Sequence, residues 1–201
     1  GGILLVQMLN MLESQELAGL GWGSREASHA MIEAQKRAYA DRARHLGDTD
    51  FYPVPIDRLI DKTYAGQRFA DFDPTSAKPS AEIFPGSWPD EGTQTTHYSI
   101  MDSAGNAISV TTTLNSGYGN KMVVTDAGFL LNNEMGDFTP KENTAGGYGL
   151  MGEAANLIAP RKRMLSSMTP TIVSRDGVNV LITGSPGGST IINTVLHVLV
   201  N

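Results

Sequence analysis

The sequence predicts an α+β fold, with a helical first part and a second part built mainly from β-hairpins. Three observations predict it. Apolar residues recur at helical spacing within residues 1–72. Two runs of β-prone residues interrupted by turn residues follow, at 95–113 and 171–183. A glycine-rich turn then leads into an apolar helix over Thr190–Val200.

The helices of the first part have recognisable starts and stops. Leu4, Met8 and Leu12 share one face of the first predicted helix. Ser24 can cap a long second helix over 25–46, and Gly47 is well placed to end it. Two short helices are predicted at 56–60 and 62–70. A proline-rich connector over 73–94 then places a boundary near residue 94.

The first hairpin brings two distant threonines together. Its strands run from His97 to Met101 and from Ala107 to Thr113, around turn residues that tolerate positive φ. If Asp102 pairs with Ala107 across the turn, the register carries Thr95 and Thr96 to within about a residue of Thr113 and Leu114. Directly opposed side chains lie roughly 5 Å apart. Two neighbouring hydroxyls can form a nucleophile pair. On spacing alone, threonine is more often simply a good strand residue.

Two further stretches carry candidate chemistry. After a second pair of short strands at 122–124 and 129–131, Glu134 and Asp137 place two carboxylates where they can hold a substrate ammonium or decorate a loop rim. The turn with Gly187 and Gly188 exposes backbone N–H groups at a helix start, which suits a phosphate or an oxyanion. The phosphate alternative is weak, because the turn lacks the spacing of phosphate-binding motifs.

Other polar clusters are expected to have no functional role. His29 and His45 have no partners at metal-ligand spacing. Asp48 and Asp50 lack the rest of a calcium loop, so we expect a solvated turn there. The basic run 161–163 is expected to be a solvated turn as well. Residues 139–160 are nearly strandless, which suits a mobile flap over a pocket.

Composition excludes several classes of function. The 201 residues carry a net charge of −6 without a basic stripe, which disfavours nucleic-acid binding. Cysteine is absent, so disulfides, thiolate metal sites and a cysteine nucleophile are excluded. No apolar run is long enough to span a bilayer, and no metal or other cofactor is expected. Both chain ends are apolar, which predicts that the chain is part of a longer protein.

Four motifs, taken together, carry a family resemblance. In order, they are Thr95–Ser99 (TTHYS), Leu130–Asn133 followed by Glu134 and Asp137, Leu165–Pro170 (LSSMTP) and Gly184–Ser189 (GSPGGS). They resemble γ-glutamyltransferases (γ-glutamyl transpeptidases), which are N-terminal-nucleophile hydrolases. Gly1, Gly2 and the Ala38–Arg42 stretch (AYADR) resemble the end of that family's large subunit, so that the resemblance covers essentially the whole chain.

The resemblance implies a partial αββα sandwich, truncated at both ends. Residues 1–94 would be the C-terminal part of the large-subunit region, and residues 95–201 the N-terminal part of the small-subunit region. The family also implies autocatalytic cleavage between Gln94 and Thr95, after which the two subunits stay associated. Thr95 would then act as nucleophile and, through its freed α-amine with a pKa of about 8, as its own base.

The resemblance also assigns the remaining site residues. Thr113 would orient Thr95, and the Gly187 and Gly188 amides would stabilise the oxyanion. The substrate α-ammonium would be held by Asn115, Glu134 and Asp137, and its α-carboxylate by Ser166 and Ser167. Tyr148 corresponds to a tyrosine of the family's flap, and packing in a loop is an equal alternative for it. An arginine that grips the carboxylate in this family lies in a region that the sequence does not include.

The implied reaction is γ-glutamyl hydrolysis or transfer, from glutathione or a related donor to water, an amino acid or a peptide. A periplasmic or extracellular location is implied by the family alone. Two alternatives stay open. One is a related amide acylase of the β-lactam type, and the other is a non-catalytic binding module in which the threonines are strand residues. The joint presence of Asn115, Glu134, Asp137, Ser166 and Ser167 favours the glutamyl substrate.

Overall fold

The computed structural model describes residues 1–83, 95–141, 144–145, 151–152 and 154–201. The predicted helices are confirmed, with small shifts at their ends. The helices are α1 (Gly2–Leu12), α2 (Leu17–Leu20), α3 (Arg25–His45), α4 (Ile56–Leu59), α5 (Lys62–Phe69), α6 (Ser80–Ile83) and α7 (Thr190–Val200). Short 3-10 turns lie at Glu13–Gln15, Glu134–Asp137 and Ala154–Asn156.

The long helix α3 begins as predicted but ends for a different reason. The Ser24 hydroxyl accepts a hydrogen bond from the Ala27 amide at 3.1 Å, which caps the helix. The helix stops where Leu46 turns to an extended conformation. Gly47 therefore does not end it through a left-handed turn. A Cβ at Gly47 would lie 2.1 Å from the Ala155 carbonyl oxygen, so glycine is required there for close approach.

One apolar core joins helices from both ends of the chain. In α1 the fully buried residues include Leu4 and Met8, and α7 contributes Ile192 and Val195. α3 packs against α1 and presents the small side chains of Ala30, Ala34 and Ala38, which are all buried. The helix that follows the hairpins is therefore packed into the same core as the helices that precede them.

The strands form antiparallel pairs, which confirms the α+β class. Each pair is one hairpin: β1 (Thr95–Met101) with β2 (Ala107–Thr113), β3 (Val123–Val124) with β4 (Phe129–Leu130), β5 (Thr144–Ala145) with β6 (Met151–Gly152), and β7 (Thr171–Arg175) with β8 (Val178–Thr183). Among the described helices, none combines the length and the apolarity that crossing a bilayer requires.

The turn of the first hairpin sets its register. The Asp102 carboxylate accepts hydrogen bonds from the amides of Ala104 and Asn106, each at 2.9 Å. This closes the turn so that Met101 pairs with Ala107, and Thr95 consequently pairs with Thr113. The predicted proximity of the two threonines is confirmed, but the register is shifted by one residue from the predicted pairing of Asp102 with Ala107.

The first and last hairpins are in contact. The Ser109 hydroxyl of β2 donates to the Thr183 carbonyl of β8 at 3.1 Å. At the other end of the hairpins, the Asn179 amide donates to the Gly105 carbonyl at 3.0 Å. Ser109 lies on the same strand face as Thr113, so the face that carries the candidate nucleophile pair is turned towards β8.

Candidate active site

The paired ends of β1 and β2 open onto a pocket. Its volume is about 260 Å³, and its lining includes Thr95 and Thr113 together with Leu114, Ser116 and Tyr118. Thr96 and Thr112 also line it, but they lie on the opposite face of their strands. Thr95 is half-buried and Thr96 is exposed. The structure therefore places the hydroxyl-bearing Thr95 next to Thr113 at the wall of a solvent-accessible pocket.

Thr113 also shapes the loop that follows β2. Its hydroxyl accepts a hydrogen bond from the Asn115 amide at 2.8 Å. Asn115 has a φ of 76°, a left-handed conformation that asparagine tolerates better than most residues. This contact turns the chain sharply just after the strand, and it holds Asn115 close to the threonine pair.

Asn133 connects this loop to the acidic segment. Its side-chain amide donates to the Ser116 hydroxyl at 2.8 Å, and its side-chain oxygen accepts from the Ser116 amide at 3.0 Å. The Asn115 side chain in turn donates to the Asn133 carbonyl at 3.2 Å. Because Glu134 follows directly in sequence, Asn115 and Glu134 are brought to the same side of the site.

The two acidic residues lie on one 3-10 turn. Burial raises the pKa of the Glu134 carboxyl above its ordinary value. The Asp137 carbonyl accepts a hydrogen bond from the Asn156 side chain at 2.7 Å. Phe138 and Thr139, which follow this turn, are almost fully buried and anchor it. The segment predicted to be a mobile flap is thus packed down at its first residue, Thr139, and again at Asn156.

Two residues of the glycine-rich turn have positive φ. Gly187 and Gly188 have φ values of 126° and 58°, which a residue with a side chain rarely adopts. Gly184 is needed for a different reason, because a Cβ there would lie 2.2 Å from the His97 ring. His97 stands two residues after Thr95 on the same strand face. The turn therefore begins against the strand that carries Thr95.

Ser166 and Ser167 are held from the helical side. The Ser167 hydroxyl accepts a hydrogen bond from the Arg42 guanidinium at 3.2 Å. The Ser166 carbonyl accepts from the Gly1 amino group at 3.2 Å, and its hydroxyl from the Met168 amide at 3.2 Å. Among the described residues, the hydrogen bonds of these two serines run to Gly1, to Arg42 of α3 and to their own loop rather than to the β1–β2 hairpin.

The prediction of a solvated turn at residues 48–50 is wrong for Asp48. Only 1% of its side chain is exposed. Its carboxylate accepts from the Arg163 amide at 2.8 Å and from the guanidinium at 2.6 and 3.1 Å. Hydrogen bonds from Arg163 hold the pKa of Asp48 well below its usual range. The basic run is accordingly not wholly solvated, because Arg163 pairs with both Asp48 and Asp50.

Two predicted site residues, Gln94 and Tyr148, lie outside the described residues. Within the part of the chain that the structure describes, no three His, Asp or Glu side chains come together in a way that would hold a metal ion. His29 lies within hydrogen-bonding distance of the Asp73 carbonyl, 2.9 Å away.

Sequence reasoning missed the residues that support the site. Asn133 holds the loop that follows β2, and the Asp48–Arg163 pair holds the segment just before Ser166. An asparagine directly after a short strand was a signal for the first of them. The Asp48–Arg163 pair has no comparable signal, since the two residues are 115 positions apart.

Comparison with known proteins agrees with this geometry. The family model described as Gamma-glutamyltranspeptidase matches residues 1–201. The glutathione hydrolase proenzyme of Escherichia coli (strain K12) is 52% identical over 202 residues, which span 100% of this chain and 35% of that protein. The chain thus spans about a third of the length of the curated relatives it matches.

Two acylases are also similar. The Acylase ACY 1 proenzyme of Pseudomonas sp. (strain SE83) is 36% identical over 200 residues, 100% of this chain and 34% of that protein. Among solved structures, the cephalosporin acylase from Bacillus halodurans superposes with a TM-score of 0.76 at 20% identity, over 100% of this chain and 33% of that chain. At that identity the superposition shows a shared fold only.

Proposed function

Because the chain belongs to the γ-glutamyltranspeptidase family, we propose that it carries the nucleophile half of an enzyme that hydrolyses and transfers γ-glutamyl groups. Glutathione is the proposed donor, and water, an amino acid or a peptide is the acceptor. The observation that carries the proposal is the pairing of Thr95 with Thr113 at the wall of the pocket.

The proposed architecture is a partial αββα sandwich. The contact between the β1–β2 and β7–β8 hairpins supports its two sheets, and the core formed by α1, α3 and α7 supports one helical layer. Residues 1–94 would belong to the large subunit and residues 95–201 to the small one. The shared core explains how the two subunits would stay associated after cleavage.

Maturation would start with attack of the Thr95 hydroxyl on the Gln94 carbonyl carbon. The peptide bond breaks as the ester forms, and the released Thr95 nitrogen takes up a proton. Water then hydrolyses the ester, which leaves a carboxylate on Gln94 and restores the Thr95 hydroxyl. The freed α-amine has a pKa of about 8 in an unperturbed chain. It is partly neutral at pH 7 and can serve as general base.

In turnover, the Thr95 hydroxyl would attack the γ-carbonyl carbon of the donor. The γ-amide bond breaks as the γ-glutamyl ester forms, and the hydroxyl proton passes through the Thr95 amine to the leaving amine. Water or the acceptor amine then cleaves the ester and restores the Thr95 hydroxyl. A threonine hydroxyl is a weak nucleophile, so the neighbouring base and a fixed orientation are both needed. Thr113 lies opposite Thr95 and would supply that orientation. The backbone amides of Gly187 and Gly188 would stabilise the oxyanion, where loss of one donor costs about a hundred- to thousand-fold in rate.

Substrate recognition would use opposite charges at the two ends of the glutamyl group. Glu134 and Asp137, with the Asn115 side chain, would hold the α-ammonium. Ser166 and Ser167 would donate hydrogen bonds to the α-carboxylate, beside the positive charge of Arg42. Tyr148 would close over the bound donor. A periplasmic or extracellular location is proposed on family grounds, and the proposed reaction requires no cofactor.

A second candidate function is hydrolysis of a β-lactam side-chain amide. The similarity to the Acylase ACY 1 proenzyme favours it. Both functions would use Thr95 and the glycine turn, so the substrate-binding residues decide between them. A γ-glutamyl donor needs a group for its ammonium, which Glu134 supplies. An assay in which a γ-glutamyl donor and a β-lactam side-chain amide compete for the same enzyme would show which of them is turned over faster.

The test of the proposal is an intact mass measured under denaturing conditions on the full-length protein. We expect two species, one of them beginning at Thr95, and a single uncut chain for Thr95→Ala. Thr96→Ala is the matched control, because Thr96 lines the same pocket from the opposite strand face. It should cleave like the wild type. Cleavage of the Thr95→Ala protein at the same bond would contradict the nucleophile assignment.

A further inference from the structure

Two side chains of α3 each reach a different loop of the candidate site. The Tyr39 hydroxyl donates a hydrogen bond to the Ser189 carbonyl, at the end of the turn that carries Gly187 and Gly188. One turn further along α3, the Arg42 guanidinium donates to the Ser167 hydroxyl at 3.2 Å. Residues three apart in a helix lie on neighbouring positions of one face.

Both side chains are held in the interior. Tyr39 is 4% exposed and Arg42 is 7% exposed. Burial of a charged guanidinium is costly unless hydrogen bonds compensate it, and the bond to Ser167 is one of these. Two buried donors of one helix therefore bind two loops. Both loops follow the Gln94–Thr95 bond in sequence, whereas the helix precedes it.

The helix itself cannot rotate freely. Between the two residues, the Asp41 carboxylate accepts hydrogen bonds from Gln7 of α1 at 2.6 Å, and from Tyr64 and Arg68 of α5 at 3.0 and 3.1 Å. These contacts fix the face that α3 presents to the loops. The distance between the two loops is consequently set by the spacing of Tyr39 and Arg42 on α3.

We propose that Tyr39 and Arg42 are positioning residues that align the glycine turn and the Ser166–Ser167 loop with respect to each other. The inference rests on the proposed function, since it assumes that the turn binds the oxyanion and that Ser167 binds the donor carboxylate. It adds that the helical part of the chain does more than retain the hairpins: it sets the geometry of the substrate site.

The two residues should affect different kinetic constants. Ser167 contacts the donor carboxylate equally in the ground state and in the transition state, so that a displaced Ser167 raises KM and leaves kcat unchanged. The oxyanion forms only in the transition state, so that a loosened glycine turn lowers kcat and leaves KM unchanged. If the two residues only stabilised the fold, replacing either of them would lower the fraction of folded protein. It would not affect KM in one variant and kcat in the other.

The experiment compares Arg42→Gln and Tyr39→Phe in the full-length protein, with γ-glutamyl-p-nitroanilide as the donor. Only the cleaved fraction is assayed. We expect Arg42→Gln to raise KM about tenfold, which is the loss of one good hydrogen bond. Arg42→Lys, which keeps a donor, should restore part of the affinity. Tyr39→Phe should lower kcat about tenfold, less than removal of an oxyanion donor outright.

A matched control comes from the same helix. Arg37 is also a buried arginine of α3, but its guanidinium donates to Glu33 and Asp71 instead of a loop of the candidate site. Arg37→Gln should change the melting temperature more than either kinetic constant. If Tyr39→Phe and Arg42→Gln behave like this control, the inference is wrong.

Amide hydrogen exchange separates this inference from the proposed function. Arg42→Gln should increase exchange in residues 165–169, and Tyr39→Phe in residues 187–191. Equal changes in both loops, or in neither, would overturn the positioning roles whether or not the wild type turns over the donor. A wild type without turnover would instead refute the proposed function, and the exchange pattern would still decide the roles of Tyr39 and Arg42.

Discussion

The helices and the hairpins of this chain bury their apolar residues to very different extents. Leu4 of α1 and Ile192 of α7 are completely buried. On the first hairpin, by contrast, Ile100 and the directly opposite Ile108 are 55% and 54% exposed. Val180 of β8 is 53% exposed. The candidate site therefore lies on the part of the molecule with the less buried apolar surface.

This difference has a physical consequence for the site. A two-stranded hairpin is marginally stable in water on its own, whereas a packed helical core supplies most of the free energy of folding. The nucleophile hairpin and the glycine turn must therefore be held by contacts with the rest of the chain. Asn133 provides such a contact for the loop after the first hairpin, and Tyr39 provides one for the glycine turn. Arg42 instead contacts Ser167, and the Asp48–Arg163 pair holds the segment that leads to it.

The largest expected effect on stability is in the helical core. Leu4→Ala should lower the free energy of unfolding by about 2–5 kcal/mol, because it leaves a cavity among fully buried side chains. Ile100→Ala on the hairpin should change it by less than about 0.5 kcal/mol. Urea unfolding followed by circular dichroism measures both. If the two variants lost similar amounts of unfolding free energy, the proposed difference between the helical core and the hairpin would be wrong.

A second prediction is that Thr113 affects turnover but has little effect on stability. Thr113→Val keeps a β-branched side chain but removes the hydroxyl that accepts from the Asn115 amide. Turnover should fall about 100-fold, the cost of a small displacement of reacting groups, while the melting temperature changes little. Thr112→Val, from the opposite strand face, is the control and should keep most of the activity. Equal losses would mean that Thr113 has no special role.

The Asp48–Arg163 pair should contribute a pH-dependent part of the stability. The pKa of Asp48 is depressed in the folded protein, so the stabilisation is present above the unfolded pKa of about 4 and is lost as pH falls through the lower folded value. Asp48→Asn should therefore destabilise the protein at pH 7, with a difference that shrinks on acidification below pH 4.

Thermal unfolding at a series of pH values measures this difference. Asp50→Asn is the matched control, because Asp50 pairs with the same arginine but is 73% exposed and should contribute little. A difference between Asp48→Asn and the wild type that stays constant down to pH 2 would contradict the assignment.

The smallest effect is expected at Glu134. Burial raises the pKa of its carboxyl, so the negative charge available to an α-ammonium is lost at a higher pH than for an ordinary glutamate. Glu134→Gln should raise KM for the donor a few-fold at pH 7, the worth of one partly exposed charge pair. The KM ratio of variant to wild type should fall towards one as pH decreases, and a pH-independent ratio would exclude a charge role.

Much of the local structure follows from short-range patterns. The turn residues 102–106 were sufficient to predict, to within one residue, that Thr95 lies near Thr113, because hairpin register depends on residues a few positions apart. The extent of α3 followed from its cap and composition. The glycine-rich turn that leads into α7 was also predicted from residue type.

Two predictions from the sequence were wrong for the same reason. Asp48 was expected to lie in a solvated turn, and Gly47 was expected to end α3. The first instead pairs with Arg163, and the second makes room for the Ala155 carbonyl. Both outcomes depend on partners more than 100 positions away in sequence. No local pattern records such a partner.

By itself, the sequence determined the α+β class, the hairpin that pairs the two threonines, the glycine turn and the family resemblance, since periodicity, turn chemistry and motifs are carried by neighbouring residues. Only the tertiary structure decided how the site is held together. Tyr39 reaches Ser189 across 150 positions and Arg42 reaches Ser167 across 125. These contacts exist because burial in a common core brings distant segments together, and buried polar groups must then find partners wherever the fold has placed them.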